Sequence, residues 1–419
     1  MSIDNNKNRD VSAYSMFSLL FDDGNFTELG TKVMSCDNLA EGIIACGKVF
    51  GRSVYAFAQD TGSCGGALSV AQANKFKKLY SLALKTGYPI VGIYSDSTAK
   101  VTQGNMLLDA VGDVLCASSR LSGVVPMVSL VLGSCIGVSA LMASNADFVV
   151  MTEDAKLSVS DCSLCSGKGK AAYVAKDAES AAKAVAQLVS YLPSNNLSVA
   201  PLAENFTADT DSVFDKDSVL RLYTEKESAA SVALARLAGK VVGCVKTTGQ
   251  PIDSKSCKKI AAFVRFCDAY SIPVITEVNS PEFECLGGAK TVLSAYSEAT
   301  TIKISVITGK AVGVGYLALA GKGARADVIL ATQGAVISPV KPEVAAFIAL
   351  GDKLDVPVAQ QDELISQYIA NELSAENAAK EGFIDNALEF SALRDELINY
   401  LDILSGKRES SLPKKHNTI

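Results

Sequence analysis

The sequence predicts an α/β protein in which one domain is laid down twice. Three observations carry this. The stretch Ser129-Leu130-Val131-Leu132-Gly133-Ser134-Cys135-Ile136-Gly137-Val138-Ser139-Ala140 has a near copy at Ser305-Val306-Ile307-Thr308-Gly309-Lys310-Ala311-Val312-Gly313-Val314-Gly315-Tyr316. Each copy reads as a β-branched strand, a glycine turn and the first turn of a small-residue helix. The elements around each copy recur in the same order, at offsets of roughly 176 to 192 residues, too long for a solenoid and right for a duplicated domain.

Residues 1 to about 40 read as peripheral, with a short apolar pattern from Ser15 to Leu20, then a turn and brief extended piece from Phe21 to Leu29. Gly47 to Ala58 reads as a hairpin with Gly51-Arg52 as its turn. Gln59 to Gly66 is a glycine-rich loop. Val70 to Thr86 places Phe76, Leu79, Tyr80, Ala83 and Leu84 at helical spacing, and Gly87 stops the helix. Pro89 to Tyr94 is a buried strand, followed by a helix near Asn105 to Ser118 and a strand from Val124 to Leu132. A strand at Phe148 to Met151 and a helix at Ala178 to Tyr191 complete the first half, before Leu192-Pro193-Ser194-Asn195-Asn196 and a polar linker through Asp211. The boundary falls between an N-terminal domain, 1–205, and a C-terminal domain, 206–419. In the second half, Gly239 to Val245 answers the first hairpin. A helix at Ile260 to Tyr270 and a strand at Ile272 to Val278 answer the Phe76 helix and the Ile90 strand, and Ala326 to Leu330 answers Ala146 to Val150. Asp362 to Leu404 is mostly helical, with a capped helix from Ser374 to a glycine stop at Gly382.

Composition narrows the function. The chain is 419 residues long, 48% hydrophobic, with a formal net charge of −6. Without an arginine-rich run it is not read as a nucleic-acid binder. Cys162-Ser163-Leu164-Cys165 has ligand-like spacing but no second pair or nearby histidine, so no metal site is expected. The scattered cysteines and the polar start suit a reduced, cytoplasmic setting. Leu121 to Ala146 carries no charge and is long enough to span a bilayer, but Pro126, Gly133 and Gly137 interrupt it, and its later counterpart carries Lys303 and Lys310. A buried strand followed by a buried helix explains both copies, so no membrane span is expected.

The one histidine, His416, lies in the polar tail, which excludes Ser/His/Asp and Cys/His catalysis. Gly62-Ser63-Cys64-Gly65-Gly66 lacks the third glycine of a dinucleotide fingerprint, and there is no Walker A sequence. What remains is electrostatic catalysis by peptide N–H groups at the two turns, beside the positive ends of helix dipoles. The candidates are Gly137 and Val138 in the first half and Val314 and Gly315 in the second. Alternatively, the glycines only let a helix pack closely on a strand.

Several stretches resemble the carboxyltransferase (β) subunits of the propionyl-CoA and acetyl-CoA carboxylase group. They are Leu19 to Leu29, Gly47 to Asp60, Leu82 to Pro89, Leu192 to Asn196, Phe263 to Pro273, and the tail from Lys407-Arg408-Glu409 to Pro413-Lys414-Lys415-His416. The resemblance, to a shortened and divergent biotin-dependent acyl-CoA carboxyltransferase, covers nearly the whole chain from about residue 15. It implies tandem crotonase (ClpP/crotonase-like) domains, each a ββα-repeat superhelix. It also implies acyl-CoA on the N-terminal domain, and carboxybiotin, on a separate carrier protein, on the C-terminal one. Carried over by position, Gly137 and Val138 steady a thioester enolate, and Val314 and Gly315 the ureido oxygen of biotin. Gly133, Gly313, Tyr316 and Leu317 line the two ligands. Implied partners are a biotin carboxyl carrier protein and a biotin carboxylase on other chains, with further copies of this chain in a dimer-built hexamer.

The sequence departs from that pattern in places. Asp96-Ser97-Thr98-Ala99-Lys100 lacks the family's glycine pair, valines stand in both turns, and the loop after Ser160 is cut down to Asp161-Cys162-Ser163-Leu164-Cys165-Ser166-Gly167. Two alternatives therefore stand beside the carboxyltransferase reading: a degenerate structural or regulatory subunit, and a crotonase-type acyl-CoA enzyme that uses no biotin.

Overall fold

The computed structural model describes residues 12–35, 38–61, 66–95, 99–159, 171–224 and 228–410. The chain forms two units, residues 1–201 and 202–419. The first runs α1 (Ala13–Leu20), β1 (Phe26–Leu29), β2 (Met34–Ser35), β3 (Asn38–Leu39), β4 (Gly42–Val49), β5 (Arg52–Gln59), α2 (Val70–Thr86), β6 (Ile90–Tyr94) and α3 (Asn105–Leu121). It continues with β7 (Met127–Val131), β8 (Ser134–Ile136), α4 (Val138–Ser144), β9 (Phe148–Thr152), β10 (Lys156–Ser158), β11 (Tyr173–Ala175) and α5 (Ala178–Tyr191). Its main sheet has the order β1-β4-β5-β6-β7-β9-β11, antiparallel as far as β5 and parallel beyond.

The second unit runs β12 (Leu220–Leu222), β13 (Ala230–Leu237), β14 (Lys240–Thr247), α6 (Ser254–Ala269), β15 (Val274–Ser280), α7 (Leu286–Glu298), β16 (Lys303–Val312) and α8 (Val314–Leu319). There follow β17 (Val328–Thr332), β18 (Val336–Ser338), α9 (Pro342–Leu350), α10 (Val358–Glu372), α11 (Ala375–Lys380), β19 (Asn386–Leu388) and α12 (Phe390–Ile403). Its sheet repeats the plan in the order β12-β13-β14-β15-β16-β17-β19, with β18 added to β16.

Both hairpins turn through two residues at positive φ: Phe50 (48°) and Gly51 (74°) in one, Ala238 (50°) and Gly239 (76°) in the other. That is the two-residue turn whose twist matches the strands. A carboxylate holds each. Asp22 accepts from the N–H groups of Phe50 (2.9 Å) and Gly51 (2.7 Å), and Asp215 from those of Ala238 (3.0 Å) and Gly239 (2.8 Å). The turn is thus Phe50-Gly51, one residue before the predicted Gly51-Arg52. Arg52 pairs across the strands with Val49, and its guanidinium donates to the carbonyls of Val189 and Leu192 and to Ser194 Oγ.

Residues 13–29 are not peripheral. Met16, Phe17 and Leu20 are buried, α1 packs on α5, and β1 edges the main sheet. A Cβ on Gly47 would come 2.5 Å from the Phe21 ring, so this glycine makes the room that seats Phe21. In the first core, Phe76, Leu79, Tyr80 and Ala83 of α2 meet Phe57, Ile90 and Tyr94 of the sheet. In the second, Leu393, Leu397 and Leu401 lie on one face of α12, over Cys244, Ile275, Ile304 and Val306. The uncharged stretch from Leu121 to Ala146 folds as β7, β8 and α4. Among the described residues, no helix is long and apolar enough to cross a membrane.

Candidate functional site

Beyond β7 the chain leaves the main sheet. β8 pairs in parallel with β10, from Ser134 opposite Lys156 to Ile136 opposite Ser158. The last residues of β16 pair with β18 in the same way, from Lys310 opposite Val336 to Val312 opposite Ser338. Each ladder ends on a glycine amide. Gly137 N–H donates to the Ser158 carbonyl at 2.9 Å, and Gly313 N–H to the Ser338 carbonyl at 2.8 Å. Both glycines then take positive φ, 69° with ψ −122° and 47° with ψ −115°, a backbone state that a Cβ disfavours.

The helices start immediately after, at Val138 and Val314. Their first bonds back run from Leu141 N–H to the Gly137 carbonyl and from Leu317 N–H to the Gly313 carbonyl, both 3.1 Å. The amides of Val138 and Ser139, and of Val314 and Gly315, thus precede the first intrahelical bond. They sit at the positive ends of their helices. None of these four side chains titrates near neutral pH, so any charge they stabilise is met by peptide dipoles.

This geometry corrects one expectation. Gly137 is not a free donor, because its N–H is engaged by Ser158. The equivalent of Gly137 is Gly313, and the first-half pair matching Val314 and Gly315 is Val138 and Ser139. The sequence reading missed Ser139, although a constant offset of 176 between the two copies would have found it. Gly313 likewise commits its N–H, to Ser338. Gly133 and Gly309 stand where each strand changes partner. Gly133 accepts from Lys156 N–H at 3.1 Å, and a Cβ on Gly309 would come 2.5 Å from the Asn279 side chain.

Tyr316 is turned away to donate its hydroxyl to the Phe383 carbonyl at 2.7 Å, and burial raises its phenol pKa. Val314, Leu317 and Leu141 are each 52% exposed, which leaves an apolar rim beside each turn. Under the second turn lies Ser280. A Cβ on Gly315 would sit 3.0 Å from the Ser280 carbonyl and 3.1 Å from its Oγ. The buried hydroxyls of Ser280 and Ser338 have no hydrogen-bond partner among the described residues. His416, Cys162, Cys165, the Asp96-Ser97-Thr98 segment and the loop at 161–167 lie outside the described residues.

Comparison with known proteins places this geometry in context. The carboxyl transferase domain model matches residues 5–163 and 211–419. The chain is 29% identical to the methylmalonyl-CoA decarboxylase subunit alpha of Propionigenium modestum, over 98% of this chain and 93% of that protein. It is 31% identical to the carboxyltransferase subunit of propionyl-CoA carboxylase from Haloferax mediterranei, over 89% and 84%. Its fold matches the crystal structure of the transcarboxylase 12S hexamer with hydrolysed methylmalonyl-CoA bound. There the TM-score is 0.90 at 26% identity, over 98% of this chain and 93% of that one.

Proposed function

The chain belongs to the carboxyl transferase family, among the biotin-dependent acyl-CoA carboxyltransferases, and on that premise we propose that it moves a carboxyl group between N-carboxybiotin and a short acyl-CoA. The first half, within residues 1–205, serves the acyl-CoA side. The second, within 206–419, serves the carboxybiotin side. The observation that carries this is the repeated pair of amides behind a glycine whose own N–H is locked in a ladder.

Val138 and Ser139 N–H groups hold the thioester oxygen as it gains charge. Those of Val314 and Gly315 hold the ureido oxygen. Both oxygens are acceptors and the chain offers donors. The buried hydroxyls of Ser280 and Ser338 leave further polar capacity beside the second turn. Biotin, when bound, supplies the carboxyl group and the basic atom. The chain's part is to position both substrates and to stabilise charge that develops only in the transition state. Preorganised N–H donors suit that role without a titrating side chain. The carrier protein and biotin carboxylase are separate chains, and this chain assembles with copies of itself, in line with the hexamer of the transcarboxylase relative.

The test is calorimetric titration with acetyl-, propionyl- and methylmalonyl-CoA. Micromolar binding of one of them is expected and names the acyl class. A folded, assembled protein that binds none of the three contradicts the proposal.

A further inference from the structure

Two cysteines of the second unit lie side by side. Cys257 is in the first turn of α6 and Cys285 is the N-cap of α7. Both are free thiols. Gly288 lies between them. A Cβ built on it would be 2.7 Å from Cys257 Sγ and 2.9 Å from Cys285 Sγ, so the two sulfurs are at most about 5.6 Å apart, the sum of those distances. The missing side chain of Gly288 therefore leaves the path between the sulfurs clear.

Their environments differ as an attacking and a resolving thiol should. Cys285 Sγ accepts the Gly288 N–H at 3.3 Å, at the start of a 13-residue helix. It is half-buried, and its neighbour Leu286 is 84% exposed, so small solutes reach this corner. Cys257 is buried, with its thiol directed to the Ile252 carbonyl at 4.0 Å. Burial, with Cys285, Asp253 and Glu284 nearby, pushes the Cys257 thiol up to about 12 and keeps it protonated.

We infer that Cys257 and Cys285 form a reversible oxidative modification site, closed to a disulfide by a peroxide, that governs the second turn. The Cys285 sulfur attacks one peroxide oxygen and breaks the O–O bond, giving a sulfenic acid, while the thiol proton leaves with the departing hydroxide as water. Cys257 sulfur then attacks the Cys285 sulfur and its proton leaves with the departing hydroxyl as water. Two thiols and one hydrogen peroxide become one disulfide and two waters, with the two electrons passing to the peroxide.

The link to the turn is the segment between them. Residues 279–285 are stitched to Ile252 by two bonds, Ile252 N–H to the Glu282 carbonyl and Glu284 N–H to the Ile252 carbonyl. The same segment carries Ser280, which lies under Gly315. Drawing the sulfurs to bonding distance pulls this segment toward α6 and shifts the floor of the second turn. The modification site stands on its own geometry; its effect on rate rests on the proposed carboxyl transfer.

The full-length protein is treated with hydrogen peroxide and free thiols are blocked. Peptides are then mapped without reduction, using trypsin and a glutamate-specific protease to separate Cys267 from Cys285. The expected product joins the peptide Ser256–Lys258 to the one holding Cys285. It disappears with dithiothreitol, and is absent in Cys257→Ala and in Cys285→Ser, which keeps a capping side chain. Carboxyl transfer falls about ten-fold or more on oxidation and recovers on reduction, as displacement at a catalytic turn predicts. Both cysteines recovered as blocked free thiols would overturn the site, whether or not the protein transfers carboxyl groups. A cross-link with unchanged rate, or equal loss of rate in Cys257→Ala, overturns its control of the turn.

Discussion

Asp22 and Asp215 clamp the same hairpin turn in the two halves, but Asp215 also holds Arg394. The guanidinium lies 2.6 Å from Asp215 Oδ1 and donates to the Val213 carbonyl as well, so the second clamp is tied down by α12 and buried. Asp22 is half-buried. The duplicated domain thus kept one backbone device and supported it differently. The same holds at the turns, where Ser139 in the first half corresponds to Gly315 in the second, and at the head of the preceding strand, where Met127 corresponds to Lys303.

The clamp gives the largest contrast. Asp215→Ala removes the buried carboxylate that holds both turn amides and the half-buried Arg394 guanidinium, and is expected to cost about 3–5 kcal/mol. Asp22→Ala loses two amide hydrogen bonds at a wetter turn and should cost about 1–3 kcal/mol. Hydrogen exchange, read unit by unit, measures both, since a single melting curve does not separate two domains. Equal losses would break the comparison.

Exchanging the turn residues comes next. Gly315→Ser places a Cβ 3.0 Å from the Ser280 carbonyl, which cannot move aside as a side-chain tip can. We expect a loss of about 1–3 kcal/mol from overpacking. Ser139→Gly adds only backbone freedom and should cost about 0.5–1 kcal/mol. Hydrogen exchange in the unit that carries each change decides this.

Acid should separate the halves further. Burial alone would raise the pKa of the Glu41 carboxyl, but hydrogen bonds from the Lys100 ammonium and the Ser69 hydroxyl hold it below its ordinary 4.5. A depressed carboxylate stabilises the fold fully above that ordinary value and loses the contribution as pH falls below it. The wild-type first unit should lose exchange protection in β4 and β5 below about pH 4.5. Glu41→Gln should show a flatter profile there, from a lower starting stability.

The smallest effect is expected from Lys303→Met, which imports the first-half residue. Lys303 is 1% exposed and donates to the carbonyls of Tyr296 and Ala299. Burial, then the Lys407 charge, pulls its pKa down to about 8 from 10.5. In that window the unfolded chain holds the extra proton, so this group adds stability as pH rises through it. The variant should stay within about 1 kcal/mol of wild type at neutral pH and lose the alkaline gain, read from exchange protection of the second unit against pH.

How much the sequence showed follows from where its signals were local. α2 and α5 were read to the residue because each carries its own punctuation: the Ser69 cap and Gly87 at φ 69° for α2, the Asp177 cap and Leu192-Pro193 for α5. α7 went unread, since it opens with Leu286-Gly287-Gly288 and a cysteine cap, none of which advertises a helix. Burial of α1 depends on packing against α5, more than 150 residues away in the chain, and no local pattern encodes it. At the turns the glycines were legible. Which amides they free was not, because that depends on Ser158 and Ser338 arriving from other strands.

One measurement tests the central claim that both turns work through their amides. Val138 and Val314 are the first residues of their helices, a position where proline is tolerated because it removes only an amide that no helical carbonyl needs. The carboxyl transfer rate from methylmalonyl-CoA to free biotin is measured for wild type, Val138→Pro and Val314→Pro, with folding checked by circular dichroism. The account predicts that kcat falls by about 10²- to 10³-fold in each variant, the loss typical of one oxyanion donor, with structure retained. Wild-type kcat in either folded variant would contradict it.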